Sequence, residues 1–335
     1  MELKRVVVTG LGALTPIGNT VTEYWDALLA GKSGAAIIQQ FDASLFKTQF
    51  ACEVKNFNVE DFIDRKEARK MDQFAQYAMV SASEAVADSG LMESNPNLDK
   101  IGVGWGSGIG GLKTFQDEAE NFFGGDGTPK FNPFFIPKMI SDIAAGLISI
   151  KYGFRGPNYV TVSACASASN AIIDAFNLIR LGKAHAIVTG GSEAGVNQMG
   201  MGGFNGLKAL STRNDSPETA SRPFDAERDG FVLGEGAGAI ILEEYEHAVK
   251  RGAKIYAEIA GGGLSADAYH MTAPHPEGIG ARNVMISALE DAEMQSEEVD
   301  YINVHGTSTP LGDIAETKAI AHVFGDHAYN LNISS

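Results

Sequence analysis

Long apolar runs are missing from this chain of 335 residues. No stretch reaches the roughly 18 consecutive apolar residues that a membrane-spanning helix needs. The start passes from Met1-Glu2-Leu3-Lys4-Arg5 straight into Val6-Val7-Val8, without an apolar signal core or a small-residue cleavage site, so an untargeted, soluble, cytoplasmic protein is expected. Cysteine is scarce: Cys52 and Cys165 are the only two, too few for a disulfide framework and in keeping with a reducing compartment. Positive charge is in short supply as well, with 26 Lys and Arg against 42 Asp and Glu and a net charge of −16. A surface that acidic argues against nucleic acid as a partner, because phosphate binding needs a basic face. The seven histidines form no spacing with cysteines or paired acids that would hold a metal, and none is expected.

What the chain does have is alternation. β-branched runs at Arg5–Thr9, 101–105, Tyr159–Ser163, 186–190, 238–243, 254–260, 301–305 and 330–334 are interleaved with helical patterns at 21–30, 71–89, 140–152, 166–181, 281–292 and 314–324. That order predicts an α/β protein with mostly parallel or mixed sheets. Strands such as Ala186-Ile187-Val188-Thr189 are apolar on both faces and should be covered on both sides. A weak internal repeat is visible. Ala85-Val86-Ala87-Asp88 precedes Ile101-Gly102-Val103-Gly104-Trp105-Gly106-Ser107, and Ala288-Leu289-Glu290-Asp291 precedes Tyr301-Ile302-Asn303-Val304-His305-Gly306-Thr307. It suggests two related halves meeting near a charged helix at 243–251. The Gly-rich stretches at 124–133 and Gly202-Gly203-Phe204-Asn205-Gly206 read as irregular loops, with Phe131, Phe134, Phe135 and Phe204 lining a pocket or an interface.

The opening Val8-Thr9-Gly10-Leu11-Gly12 has the look of a dinucleotide fingerprint, but the third glycine would fall at Thr15, followed by Pro16. Cofactor binding is rejected there in favour of a strand and a tight turn. The strongest chemical signal is Tyr159-Val160-Thr161-Val162-Ser163-Ala164-Cys165-Ala166-Ser167. A β-run feeds directly into a helix whose period shows in Ile172, Phe176 and Ile179, closed by Gly182. This sets a thiol beside the unpaired N–H groups and the positive end of a helix, where thiolate is favoured. A buried structural cysteine is the other reading.

His305 stands at the carboxyl end of an apolar strand, followed by Gly306-Thr307-Ser308-Thr309-Pro310. That is where a ligand meets an open α/β sheet, although a core histidine fits the same pattern. Arg65-Lys66-Glu67-Ala68-Arg69-Lys70 is the one basic cluster; on a helix, Lys66, Arg69 and Lys70 would share a face. It is either a solvated face balanced by Asp61, Asp64, Glu67 and Asp72 or a docking patch for an acidic macromolecule. Residues 210–238 are dense in Arg–Asp pairs and glycines, a charge-stapled loop running into a strand, with Phe231 as a pocket gate or plain core.

Together these motifs resemble the β-ketoacyl–acyl carrier protein synthases, the elongating condensing enzymes of fatty acid synthesis, and most nearly the bacterial type II enzymes. The resemblance runs from Val6 to Ser335. It is carried by Val7-Val8-Thr9-Gly10-Leu11-Gly12, Gly106-Ser107-Gly108-Ile109-Gly110-Gly111, Ser163-Ala164-Cys165 and Ser221-Arg222-Pro223-Phe224-Asp225. Asp229-Gly230-Phe231-Val232-Leu233-Gly234-Glu235-Gly236, Asp267-Ala268-Tyr269-His270 and His305-Gly306-Thr307-Ser308-Thr309-Pro310 extend it. It implies a thiolase-like α/β fold in α-β-α-β-α layers, with an N-terminal half over 1–250 carrying the nucleophilic cysteine and the beginning of a C-terminal half over 251–335. It further implies a homodimer, and no cofactor beyond the phosphopantetheine of acyl carrier protein, which brings the substrates.

In that resemblance Cys165 takes an acyl group as a thioester, and the carbanion from decarboxylated malonyl–acyl carrier protein attacks it. His305 stabilises the enolate oxygen. Thr307 and Thr309 contact the malonyl carboxylate or the pantetheine arm. The Cys165 N–H supplies half an oxyanion hole. Ile109, Phe204 and Phe231 match pocket or gating positions, and Asp313 and Glu316 match supporting acids. Lys66, Arg69, Lys70 and Lys208 match docking positions for the acidic carrier protein. Relative to the family pattern the sequence ends at Ser335, before a Lys, a second catalytic His and a Phe-containing Gly-rich loop. The expectation is a C-terminally truncated chain with the second half incomplete. The alternative is a fragment that binds carrier protein, and is acylated at Cys165, without condensing.

Overall fold

The structure is a computed structural model and describes residues 3–335. Its centre is a six-stranded mixed sheet built from β1 (Val6–Leu14), β4 (Ile101–Gly106), β5 (Asn158–Thr161), β6 (Ala186–Ala194), β7 (Glu235–Glu244) and β8 (Ala257–Ile259). The strand order is β5-β4-β6-β7-β1-β8, with β4 parallel to both β5 and β6 and the remaining pairs antiparallel. A short hairpin pairs β2 (Ala36–Ile37) with β3 (Phe50–Ala51), and a separate parallel pair joins β9 (Tyr301–Asn303) to β10 (Asn332–Ser334).

The helices are α1 (Val21–Leu29), α2 (Arg65–Ala68), α3 (Gln73–Ser89), α4 (Leu112–Phe123), α5 (Phe135–Met139) and α6 (Ile143–Tyr152). They continue with α7 (Ser167–Arg180), α8 (Gln198–Gly206), α9 (Tyr245–Lys250), α10 (Ile279–Ala292) and α11 (Pro310–Phe324). The central sheet is covered on both faces, as its doubly apolar strands require. Alternation along β6 makes the division plain: Ala186 and Val188 pack with Trp105, Phe74 and Ile148 on the α3–α6 side, while Ile187 packs with Phe176 and Ile179 of α7. Burying side chains of that size contributes about 1.5–3 kcal/mol each, so this sheet is the rigid platform of the molecule.

The opening glycines are strand residues. β1 runs through to Leu14, well past the expected end at Thr9, and the tight turn follows at Thr15–Gly18. A Cβ on Gly10 would lie 2.3 Å from the Ala85 carbonyl oxygen, and one on Gly12 would lie 1.9 Å from that of Ser81. Those glycines let α3 lie directly against the strand, which is a packing reason and leaves no phosphate cradle to explain. The stretch Gly202–Gly206, expected as a loop, is the end of helix α8. Its start is capped by Asn197, whose side-chain oxygen accepts the Gly200 N–H at 2.9 Å. Packing against α4 overrides the poor helix propensity of four glycines.

The sequence repeat has a structural counterpart. α3 leads through the single turn Leu98–Lys100 into β4, and α10 leads through Ser296–Glu298 into β9. α7 lies between the central sheet and this second unit, joined to it by the paired Arg180–Asp291 hydrogen bonds at 2.7 and 2.8 Å. No helix among the described residues is long and apolar enough to cross a membrane.

Candidate active site

Strand β5 stops at Thr161, and the chain turns through Val162–Ala166 into α7. Ala164 carries the turn with φ of +51°, a left-handed conformation that costs a non-glycine residue about 1 kcal/mol or more. Ser167 holds it there. Its Oγ accepts the Ser163 N–H at 2.9 Å and donates to the Ala164 carbonyl at 2.7 Å, while its own carbonyl accepts Thr161 Oγ1 at 2.6 Å. Asn170, one turn into α7, donates to Ser163 Oγ at 2.7 Å. Cys165 therefore stands exposed on a strained and stapled corner at the helix N-terminus. The reading of Cys165 as a buried structural thiol falls on that exposure.

His305 reaches the same place from the other unit, beyond the end of β9. Its imidazole is the neighbour that, ahead of the opposing effect of desolvation, holds the Cys165 thiol below its ordinary pKa. The thiol in turn raises the imidazole, with Glu316 and Asp313 adding negative charge behind it. The pair is thus biased toward thiolate and imidazolium.

Two carboxylates hold the histidine's turn. Glu316 takes the His305 N–H at 2.7 Å and the Gly306 N–H at 2.8 Å on its two oxygens. Asp313 is buried at 1% exposure, accepts the Phe224 N–H at 2.8 Å and lies 3.1 Å from Arg228 Nε. Arg228 also donates to the carbonyls of Asp225, Thr309 and Pro310 at 2.7, 3.1 and 2.7 Å. Ser308, at φ of +65°, takes the Arg222 N–H on its Oγ and the Gly230 N–H on its carbonyl, at 3.1 and 3.0 Å. The Arg–Asp-rich loop that the sequence marks as charge-stapled is in effect the seat of the histidine turn. Thr307 and Thr309 face each other there, their hydroxyls 2.9 Å apart.

The remaining residues singled out from sequence fall into separate groups. Phe204 on α8 and Phe231 pack edge to face, with ring centres 5.4 Å apart, at the rim of a small core that includes Phe41, Phe46 and Met201. Ile109 lies on the loop after β4, which touches the elbow: a Cβ on Gly108 would sit 3.3 Å from the Ala164 carbonyl oxygen. The basic cluster is not one helical face. α2 ends at Ala68 after four residues, Arg69 is its C-cap, and Lys70 turns back to pair with Glu67 at 2.7 Å. Asp64, used as the N-cap, starts a helix too short to carry the i, i+4 face that the sequence suggests. Lys208 is exposed just past the end of α8. Among the described residues no group of three His, Cys, Asp or Glu side chains could hold a metal.

One acid near the thiol escapes sequence reasoning altogether. Glu193, at the end of β6, accepts the backbone N–H groups of Gly108, Ile109 and Gly110 at 2.7, 3.1 and 3.2 Å. A charge inside an otherwise apolar strand, opposite a run of glycines, is the only local signal it gives.

Family comparison agrees with this arrangement. The family described as "Beta-ketoacyl synthase, N-terminal domain" matches residues 3–248, and "Beta-ketoacyl synthase, C-terminal domain" matches residues 256–335. Proteins named 3-oxoacyl-[acyl-carrier-protein] synthase 2 from Synechocystis and Coxiella burnetii are 50% and 51% identical over 100% of this chain, which spans 80% and 81% of their lengths. Among solved structures, a beta-ketoacyl synthase from Burkholderia phymatum superposes with a TM-score of 0.88 at 36% identity, covering 96% of this chain and 79% of that one. A ketosynthase bound to a hexaketide, solved in complex with its type II PKS acyl-carrier protein, superposes with a TM-score of 0.86 at 32% identity, covering 99% of this chain and 80% of that one. The fold is the thiolase-like α/β fold of these ketosynthases. With both family domains matched in order along one chain, this protein belongs to the beta-ketoacyl synthase family.

Proposed function

We propose that the chain elongates fatty acyl groups by decarboxylative Claisen condensation, with Cys165 as the acyl acceptor. The observation that carries this is the exposed thiol on the α7 elbow, lowered in pKa by the neighbouring His305 imidazole. The Cys165 thiolate attacks the acyl thioester of acyl carrier protein; a new S–C bond forms, and the pantetheine sulfur leaves and takes up a proton. Malonyl–acyl carrier protein then loses CO2, and the electron pair of the broken C–C bond passes into an enolate. His305 donates from Nε2 to the enolate oxygen. The carbanion attacks the Cys165 thioester carbon, the S–C bond breaks, and a 3-oxoacyl chain leaves on the carrier protein while the thiolate is restored.

Thr307 and Thr309 contact the malonyl carboxylate or the pantetheine arm, and the Cys165 N–H is one oxyanion donor. Phe204, Phe231 and Ile109 border the acyl site, and Asp313 and Glu316 support the histidine turn. Lys66, Arg69, Lys70 and Lys208 receive the acidic carrier protein. The division into 1–250 and 251–335 gives the cysteine and the histidine to different halves. A homodimer is the proposed assembly: β5 is an edge of the central sheet, and an unpaired edge strand invites a second copy.

The test separates charging from condensation. Intact mass of the protein incubated with decanoyl–acyl carrier protein should increase by one decanoyl group, and Cys165→Ala should abolish the gain. Adding malonyl–acyl carrier protein should release CO2 and a 3-oxododecanoyl product. An acyl group that persists on the Cys165→Ala variant, or an unmodified protein that is never charged, would overturn the proposal.

A further inference from the structure

The loop from Ser107 to Gly111 runs between β4 and α4, beside the elbow that carries Cys165. One side of it presses on the end of α5 and the residues beyond, where a Cβ on Gly111 would come within 2.4 Å of the Lys138 carbonyl oxygen. Gly110, at φ of +76°, would bring a Cβ 2.8 Å from that of Met139. On the other side there is a single carboxylate. Glu193 Oε2 receives the Gly108 and Ile109 N–H groups, and Oε1 receives Gly110 N–H and, at 3.4 Å, the Ser107 hydroxyl. Three successive backbone donors converging on one group form an anion-binding concavity, here filled by the protein's own acid.

Ile109 is the only residue between Gly108 and Gly111 with a side chain, and at 44% exposure its position is not fixed by packing. The cap of α4 does not fix it either, since Gly111 offers no capping side chain. Further along, α4 has its own anchor: buried Asp72 accepts both the N–H and the hydroxyl of Thr114, at 2.9 and 2.6 Å. Gly111 N–H stays on the Met139 carbonyl at 2.9 Å, so release of Glu193 should free residues 108–110 and leave the helix in place.

We propose that Glu193 is a positioning residue that sets where Ile109 stands at the acyl site, and through it which acyl lengths Cys165 accepts. The length preference rests on the reading of Cys165 as acyl acceptor; the hold on the loop does not. Two electrostatic consequences accompany it. Burial pushes the Glu193 carboxyl above its ordinary value, against the pull of the N–H donors. The charge of Glu193 in turn opposes ionisation of Cys165. A neutral residue at 193 should lower the thiol pKa, whereas mere loosening of the elbow would raise it by weakening the His305 contact.

The experiment compares the unmodified chain with Glu193→Gln and Glu193→Asp. The readouts are charging from hexanoyl– and tetradecanoyl–acyl carrier protein, the pH profile of Cys165 alkylation by iodoacetamide, and hydrogen exchange over 108–110. An amide at 193 turns one acceptor into a donor facing N–H groups, so Glu193→Gln should change the ratio of the two charging rates about tenfold, with Glu193→Asp in between. Exchange over 108–110 should quicken while α4 stays protected, and the alkylation midpoint should move to lower pH. An unchanged ratio, or an equal fall for both donors, overturns the length-setting role.

Should Glu193→Gln fail to fold, Glu193→Asp and the unmodified chain decide. In the unmodified chain, protection of 108–110, corrected for intrinsic exchange, should be lost on acidification; protection indifferent to pH overturns the hold on the loop. If the unmodified chain accepts neither acyl group, the acyl-acceptor reading falls together with the length preference. Exchange and alkylation then still decide the hold on the loop.

Discussion

Cys165 and His305 meet at one site, yet they are held by opposite means. The cysteine leaves a six-stranded sheet covered on both faces, and its elbow is stapled by hydroxyls and amides from Ser167, Asn170 and Thr161. The histidine lies beyond the end of β9, and its turn is held by charged groups: Glu316 on the backbone, Asp313 and Arg228 behind. Where a large core already fixes the backbone, neutral hydrogen bonds suffice to aim a side chain. At the histidine turn, carboxylates and a guanidinium do the aiming, and the position becomes sensitive to each of them.

The largest test of that contrast is Arg228→Leu. Asp313 is nearly inaccessible, and its charge would lose its cationic partner, a loss of about 3–5 kcal/mol for a buried pair broken on one side. Ser167→Ala on the cysteine side removes only neutral bonds and should cost about 1–2 kcal/mol. Urea denaturation of the two variants measures both. Equal losses would mean that the two sides are held alike.

The contrast also explains what could be read from the sequence. The cysteine side is local: strand, small residues, thiol and helix follow one another within about twenty residues, so the elbow is legible from Tyr159 to Ile179. His305 is legible for the same reason, as a histidine at a strand end before Gly306. Glu193 is not, because its partners Gly108, Ile109 and Gly110 lie more than eighty residues away and meet it only once β4 is placed beside β6. Helix α8 was hidden behind its glycines, whose propensity speaks for a loop while the Asn197 cap and packing decide otherwise. The Lys66–Lys70 cluster misled in the other direction. Its spacing suits a helix face, but α2 stops before the face is formed.

A smaller effect is expected from Glu316→Gln. The amide cannot accept both the His305 and Gly306 N–H groups as the carboxylate does, and leaving one donor unpaired costs about 1–3 kcal/mol. Global stability should fall less than in Arg228→Leu, while the thiol pKa rises as His305 loses its place. The pH profile of Cys165 alkylation reads this directly. In the unmodified protein His305 holds the thiol below its ordinary value and is itself raised, so alkylation should begin at lower pH than for a free cysteine. His305→Ala should move the midpoint back up. A midpoint indifferent to that substitution would separate the two residues that the structure joins.

The smallest effects belong to charges with water around them, and the basic cluster sharpens the comparison from that end. Lys66 and Arg69 are exposed and carry no ion pair among the described residues, whereas Lys70 is already paired with Glu67 at 2.7 Å. If the cluster receives an acidic carrier protein, free cations should contribute more than a neutralised one. Each exposed contact is worth about 0.2–1 kcal/mol, so Lys66→Ala or Arg69→Ala should weaken carrier-protein binding about two- to fivefold, and Lys70→Ala less. Raising salt from 50 to 300 mM should shrink these differences, because screening over about 10 Å or less acts on exposed charges first. The same change of salt should leave the Arg228–Asp313 contribution to stability nearly untouched. Titration calorimetry of the three variants at both salt concentrations makes the comparison. A Lys70→Ala loss equal to that of Lys66→Ala would mean that the Glu67 pair opens on docking, and that its geometry in the free protein does not govern the encounter.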